Sequence, residues 1–185
     1  MNQIYTNIFQ FKITLRGIQS PIWRRIQVPE SFTFDQLHRA IQDAMGWEDY
    51  HLYEFQIMDP SKGSVVNIGV PEGGYVDGIL SGKKQKIKDF FSLENHSAQY
   101  LYDFGDNWEH TVKLEKILPA EEGGYPRCIT GKRACPPEDC GGVWGYMELL
   151  EVLADPDHDE YEDMLEWAGE DFDPEYFDAK EVRFR

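Results

Sequence analysis

No stretch of this sequence approaches the roughly 18 consecutive apolar residues that a membrane-crossing helix needs. Its opening, MNQIYTNIFQFKITL, has no basic leader followed by an apolar run. Neither a signal peptide nor a membrane anchor is expected, and the chain is read as cytoplasmic. Cysteine is scarce: there are three, an odd number that cannot pair completely within one chain, in a compartment that keeps thiols reduced. A disulfide framework is therefore not expected to hold the fold. Basic residues are also short, with 18 Lys and Arg against 34 Asp and Glu for a net charge of −16. The deficit is local, because residues 148–181 hold 15 of the acids and one lysine. A near-neutral body with one acidic flank lacks the broad basic face that binding to a phosphate backbone requires. Nucleic acid is thus disfavoured as a partner, and no membrane partner is expected. Internal repeats and low-complexity tracts are missing as well.

What the chain does have is core-forming material. Apolar residues make up 41% and aromatics 14% of 185 residues, enough for a single domain spanning 1–185. Phe9, Phe11, Ile13 and Leu15 alternate with polar residues, and Ile22, Arg24, Ile26 and Val28 alternate again after a turn at Gly17–Pro21, so the two runs predict an antiparallel hairpin. Thr33 with Gln36 fits a capping box for a helix over 34–45 that Gly46 stops. HLYEFQIM (51–58) returns to strand period, residues 59–82 read as a long excursion, and 84–93 as a short amphipathic helix. A second hairpin is expected over 98–117 around Gly105-Asp106-Asn107. Beyond residue 145 the period is helical, through Leu149 and Leu153, Tyr161 and Leu165, and on into DPEYFDAKEV. Strands first and helices last predict an α+β fold: an antiparallel sheet of hairpins packed by helices, with a helical acidic C-terminal region.

Three stretches carry candidate chemistry. RCITGKRACPPEDCGG (127–142) places Cys128, Cys135 and Cys140 at spacings of six and four. Zinc knuckles space their thiolates more closely and in pairs, so zinc would need a fourth ligand from His110, His158 or Asp139. The segment reads instead as a proline-stiffened turn whose thiols serve as packing atoms, with Gly141-Gly142 supplying the φ freedom needed to enter a helix. No cofactor is expected beyond that zinc alternative. DPDHDEYEDMLE (155–166) offers Asp155, Asp157, Asp159, Asp163 and Glu166 at calcium-loop positions, but Glu160 stands where the loop needs glycine and Pro156 follows the first ligand. A helix–helix turn with an Asp N-cap explains the same letters. In the second hairpin Asp103, Asp106 and His110 could converge for metal binding or acid–base work, although alternation sets Asp103 opposite Trp108 and His110. Arg24, inward by its alternation, should need a carboxylate partner such as Asp103 or Asp106. His51 adds an imidazole at the start of a strand. The candidate binding residues are therefore Arg24, His51, Asp103, Asp106, Trp108 and His110.

PIWRRIQVP (21–29), LHRAIQDAMGW (37–47), YLYDFGDNWEH (100–110), RACPPEDCGG (133–142) and FDPEYFD (172–178) together resemble the plasmid pRiA4b ORF-three-like family. The resemblance implies one α+β domain in a bacterial or archaeal cytoplasm, and no established activity. The family pattern PPEDVGG puts valine at the Cys140 position, which would remove a zinc ligand. A transposon-passenger label on some relatives implies residence on mobile elements. Serine-recombinase and nuclease motifs are missing here. The reading these features favour is a non-catalytic binding or protein-interaction module, in which aromatics on the sheet or hairpin rim and the acidic C-terminal helices recruit a basic protein partner. The alternatives are a metal-dependent or hydrolytic enzyme using Asp103, Asp106 and His110, and a mobile-element accessory acting on DNA through Lys83, Lys84, Lys86 and Lys88.

Overall fold

A computed structural model describes residues 6–71 and 78–185. The two alternating N-terminal runs form β1 (Asn7–Leu15) and β2 (Trp23–Pro29), antiparallel with Phe11 opposite Ile26 and Ile13 opposite Arg24. Helix α1 (Phe34–Met45) opens on the expected capping box: the Thr33 hydroxyl accepts from the Gln36 N–H at 3.2 Å, and the Gln36 side chain accepts from the Thr33 N–H at 2.9 Å. It closes at Gly46, whose φ of 95° lies in the left-handed region open to glycine. There follow β3 (Tyr53–Asp59), β4 (Ser64–Gly69), β5 (Ile79–Ser81), β6 (Ser97–Tyr102), β7 (Trp108–Pro119) and β8 (Arg127–Lys132), then α2 (Gly142–Leu153) and α3 (Tyr161–Ala168).

The strands make one open sheet in the order β5-β4-β3-β6-β7-β1-β2-β8, antiparallel throughout except for the parallel β4–β5 pair. The architecture is α+β, as the segment order implies. Alternation along each strand sends Phe9, Phe11 and Ile13 of β1, Tyr53 and Phe55 of β3, and Tyr100 and Tyr102 of β6 into one buried cluster with Phe34, Leu37 and Ile41 of α1. The strand positions between them carry a polar network. Glu115 accepts from Arg25 at 2.6 and 3.0 Å, Gln10 accepts from Gln27 at 2.9 Å, and Gln27 accepts from Arg127 at 2.7 Å. Among the described residues no helix is long and apolar enough to cross a membrane.

The structure departs from the sequence reading in three places. The expected excursion over 59–82 contributes β4 and β5 to the sheet, while residues 72–77 lie outside the described part. The expected helix over 84–93 is a single 3₁₀ turn, Ile87–Asp89, because its backbone bonds elsewhere: Phe34 N–H to Gln85 O at 3.0 Å and Ile87 N–H to Phe32 O at 2.9 Å. It still delivers Ile87, Phe90 and Phe91 to the core. Residues 172–181 are not helical either. Asp173 and Asp178 accept from the N–H groups of Glu175 and Lys180, each at 2.9 Å, and these side-chain turns compete with helix in a segment that already contains Pro174.

That C-terminal run folds back over the sheet and settles the fate of Arg24. The inward arginine, 1% exposed, has no carboxylate partner among the described residues, contrary to the expectation of Asp103 or Asp106. Its guanidinium donates to backbone carbonyls, Ala44 O at 2.8 Å, Trp23 O at 2.9 Å and Lys132 O at 3.1 Å, and lies 3.7 Å from the ring centre of Phe177. Burial lowers its pKa from the ordinary value, yet carbonyl dipoles and a π-face suffice to hold the charge. Gly131 makes room for this arrangement. A Cβ there would come within 2.5 Å of the Phe177 ring and 2.9 Å of the Arg24 side chain.

Candidate functional site

Three loops that are distant in sequence meet at one end of the sheet. The first is 46–51, where α1 ends, Trp47 turns into the core, and Asp49 adopts a left-handed φ of 63°. The second is the β6–β7 turn, 103–107. The third is the strap 136–141, which leads from the cysteine segment into α2. Each part of the strap is pinned to one of the other loops or to β6: Pro136 O accepts from Trp47 Nε1 at 2.9 Å, Glu138 accepts from the Glu48 N–H at 2.8 Å and the Tyr102 hydroxyl at 3.1 Å, and the Gly141 N–H donates to Asp106 at 3.1 Å. Gly141 and Gly142, with φ of 90° and 68°, then turn the chain into α2. A Cβ on Gly142 would collide with the Asp106 carbonyl oxygen.

This docking brings together residues the sequence kept apart. His51 Nε2 lies 2.8 Å from Asp139 Oδ1 and 3.6 Å from Asp103 Oδ2. It is the one group of three His, Cys, Asp or Glu residues among the described residues whose ligand atoms all lie within 4.8 Å of one another. Asp103 and Asp139 both sit at left-handed φ, 56° and 55°, a conformation Asp tolerates because its short side chain bonds locally. Asp103 shows this directly, accepting from the Gly105 N–H at 2.8 Å through Oδ1. Partial burial opposes a charge on His51, but the hydrogen bond to Asp139 and the charges of Asp103, Asp139 and Glu138 outweigh it and raise the pKa above the ordinary imidazole value. Burial pushes the Glu138 carboxyl up as well, against the hydrogen bonds it accepts.

The other expected residues fall elsewhere. His110 does not join Asp103 and Asp106: it is fully buried, 3.3 Å from the Tyr100 carbonyl and edge-on to Trp47, and burial takes its pKa down to about 4. The reason is strand alternation, which sends even-numbered β7 residues to the core face. Trp108 follows the same rule and is fully buried in the core rather than displayed at a rim. Asp106 serves the strap. The three sulfurs do not converge, and Cys128, Cys135 and Cys140 have thiol pKa values raised chiefly by burial, that of Cys140 to about 12. The acids at 155–160 are exposed and bond locally, Asp155 accepting from the Asp157 N–H at 3.1 Å, and the N-cap of α3 is Glu160, with no side-chain cap bond, rather than an Asp. Lys83, Lys84, Lys86 and Lys88 are all exposed. Glu138 is the site residue that the sequence reading passed over. Its signal was its position between a rigid Pro-Pro and a flexible Gly-Gly.

A second feature adjoins the strap. Helices α2 and α3 enclose a groove of about 320 Å³ with Leu149, Val152, Met164 and Trp167 as its apolar lining and Asp139, Glu148 and Glu160 among its polar residues. Trp167 remains 51% exposed, and none of the residues of α3 is fully buried.

An α+β domain with an open, mostly antiparallel sheet and an acidic helical flank is the class that the fold defines. The chain belongs to the plasmid pRiA4b ORF-3-like protein family, which it matches over residues 7–181. It is 38% identical over 164 residues to the uncharacterized protein y4hQ of Sinorhizobium fredii (strain NBRC 101917 / NGR234), a match covering 88% of this chain and 81% of that one. It also resembles the crystal structure of MM3350, a protein of unknown function from Methanosarcina mazei Go1. The TM-score is 0.92 and the identity 55%, with 97% of this chain and 99% of that chain covered.

Proposed function

We propose that the domain is a non-catalytic binding module that takes up a basic, amphipathic segment of a partner protein in the groove between α2 and α3. The carrying observation is the pairing of an apolar lining with acids in one place: Leu149, Val152, Met164 and half-exposed Trp167 beside Asp139, Glu148 and Glu160. Apolar side chains of the partner supply buried area, and its lysines or arginines meet the acids of a flank that holds 15 carboxylates between 148 and 181. This is the helix-in-groove mode of recognition, with charge setting association rate and specificity and the tryptophan acting as the anchor.

The test is a fluorescence titration of the full chain with a synthetic amphipathic Lys/Leu peptide and its Glu/Leu counterpart. Binding of the basic peptide alone is expected, weakened by roughly tenfold or more in Trp167→Ala, as for an interface anchor. It should also weaken as salt rises. Equal binding of both peptides, or a basic peptide indifferent to Trp167→Ala, removes the reading.

A further inference from the structure

The structure assigns a divalent-cation site to His51, Asp103 and Asp139. It goes beyond the peptide-binding reading and rests on different observations, sharing only Asp139 with the groove.

The first observation is convergence. An imidazole nitrogen and two carboxylate oxygens from three separate loops lie within 4.8 Å of one another, each loop being fixed by contacts other than those among the three. The second is a mostly buried carboxylate. The Asp103 side chain is only 10% exposed; Oδ1 accepts from the Gly105 N–H, whereas Oδ2 accepts no hydrogen bond among the described residues and faces His51 Nε2 at 3.6 Å. Oδ2 keeps contact with solvent, and a cation beside a mostly buried carboxylate is favourable. The third is charge. Asp103, Glu138 and Asp139 surround one imidazole, and among the described residues no lysine or arginine pairs with any of the three.

The ligand spacing suits a small cation. Metal bonds of about 2.1 Å at tetrahedral angles separate ligand atoms by about 3.4 Å. The His51–Asp103 separation of 3.6 Å already matches that, and the 2.8 Å His51–Asp139 hydrogen bond has to open by about half an ångström for an ion to enter. Asp139, 65% exposed, has the freedom to make that shift. One nitrogen and two oxygens select an ion of the zinc or manganese kind over calcium, which takes oxygen ligands in larger number. With His51 about a third exposed, the ion's remaining positions face solvent and are open to water or to an oxyanion.

The test is calorimetric titration of the chelator-treated full chain with zinc chloride and with manganese chloride, repeated on His51→Gln, Asp139→Asn and a Cys128→Ser/Cys135→Ser/Cys140→Ser variant, with circular dichroism to confirm folding. One ion per chain is expected, weakened at least about tenfold in both His51→Gln and Asp139→Asn and unchanged in the serine variant. Manganese electron paramagnetic resonance reads the same loss without heats. Absence of saturable binding of either ion overturns the assignment, as does binding that survives both ligand substitutions or is abolished by the serine variant. A failed peptide titration leaves this outcome untouched, because Trp167 takes no part in it.

Discussion

Among the described residues, two short histidine–aspartate hydrogen bonds of nearly equal length are of opposite construction. His38 Nε2 lies 2.6 Å from Asp49, and its Nδ1 accepts from the Tyr100 hydroxyl at 2.8 Å, which in turn accepts from Gln42 at 2.9 Å. That ring is 2% exposed and stacks at 3.7 Å on Tyr53. Burial pushes the Asp49 carboxyl up, but the His38 hydrogen bond and the charges of Arg185 and Arg39 prevail and leave its pKa below the usual range. Both nitrogens of His38 are used, and the pair locks α1 to the sheet. His51 and Asp139 instead pair at a solvent-facing edge, with Asp103 Oδ2 at 3.6 Å from the same nitrogen. Exposure, rather than the identity of the residues, separates a structural pair from a site that can take a ligand.

The comparison breaks most sharply at the closed pair. His38→Ala should destabilise the fold by about 4 kcal/mol in urea denaturation, since it leaves a cavity under Tyr53 and strands the Asp49 and Tyr100 polar groups. A loss below about 1 kcal/mol would show that the pair does not lock the helix. A second buried histidine sharpens the contrast through pH. His110 is neutral in the fold, with a pKa of about 4 against 6.5 when exposed. The unfolded chain therefore binds the extra proton between those values. Stability from this group is complete above pH 6.5, falls as pH drops toward about 4, and changes no further below it. The loss should reach about 3 kcal/mol at most and be absent from His110→Gln, as followed by thermal melts across that range.

Smaller effects are expected nearer the open pair. Tyr100→Phe removes a hydroxyl that bonds both His38 and Gln42 and should cost about 1–2 kcal/mol, with m unchanged in denaturant titration. Least of all should come from His51→Gln, under about 1 kcal/mol, because its partner Asp139 is mostly exposed and solvent-screened. A large loss there would make the open pair structural and undo the comparison.

Much of the fold could be read locally. The β1–β2 hairpin, the Thr33–Gln36 box and the Gly46 stop are short-range features in which side-chain period and capping chemistry decide the outcome. The β6–β7 hairpin is equally local, and alternation along it sets Asp103 apart from Trp108 and His110. The site was less legible, because its parts meet through non-local pairing. Tyr53 lies opposite Tyr102, and this cross-strand register between β3 and β6 is what carries His51 to Asp103. Asp139 arrives by way of the strap, whose course depends on Trp47 and Asp106, residues more than thirty positions away. Arg24 misled for a related reason. A buried cation was expected to need an anion, whereas three carbonyl groups and a ring from four chain segments did the work together.

The small space above Gly131 has a consequence for the whole C-terminal run. A methyl group at this position would press at once on a phenyl ring, a strand carbonyl and an arginine stem, and of these only the ring belongs to a segment without helix or strand hydrogen bonds. Gly131→Ala would therefore lift residues 172–181 from the sheet and admit water to the Arg24 guanidinium. Amide exchange along that run should speed up while the hairpins remain protected, so one hydrogen atom's worth of clearance keeps the end of the acidic flank folded down.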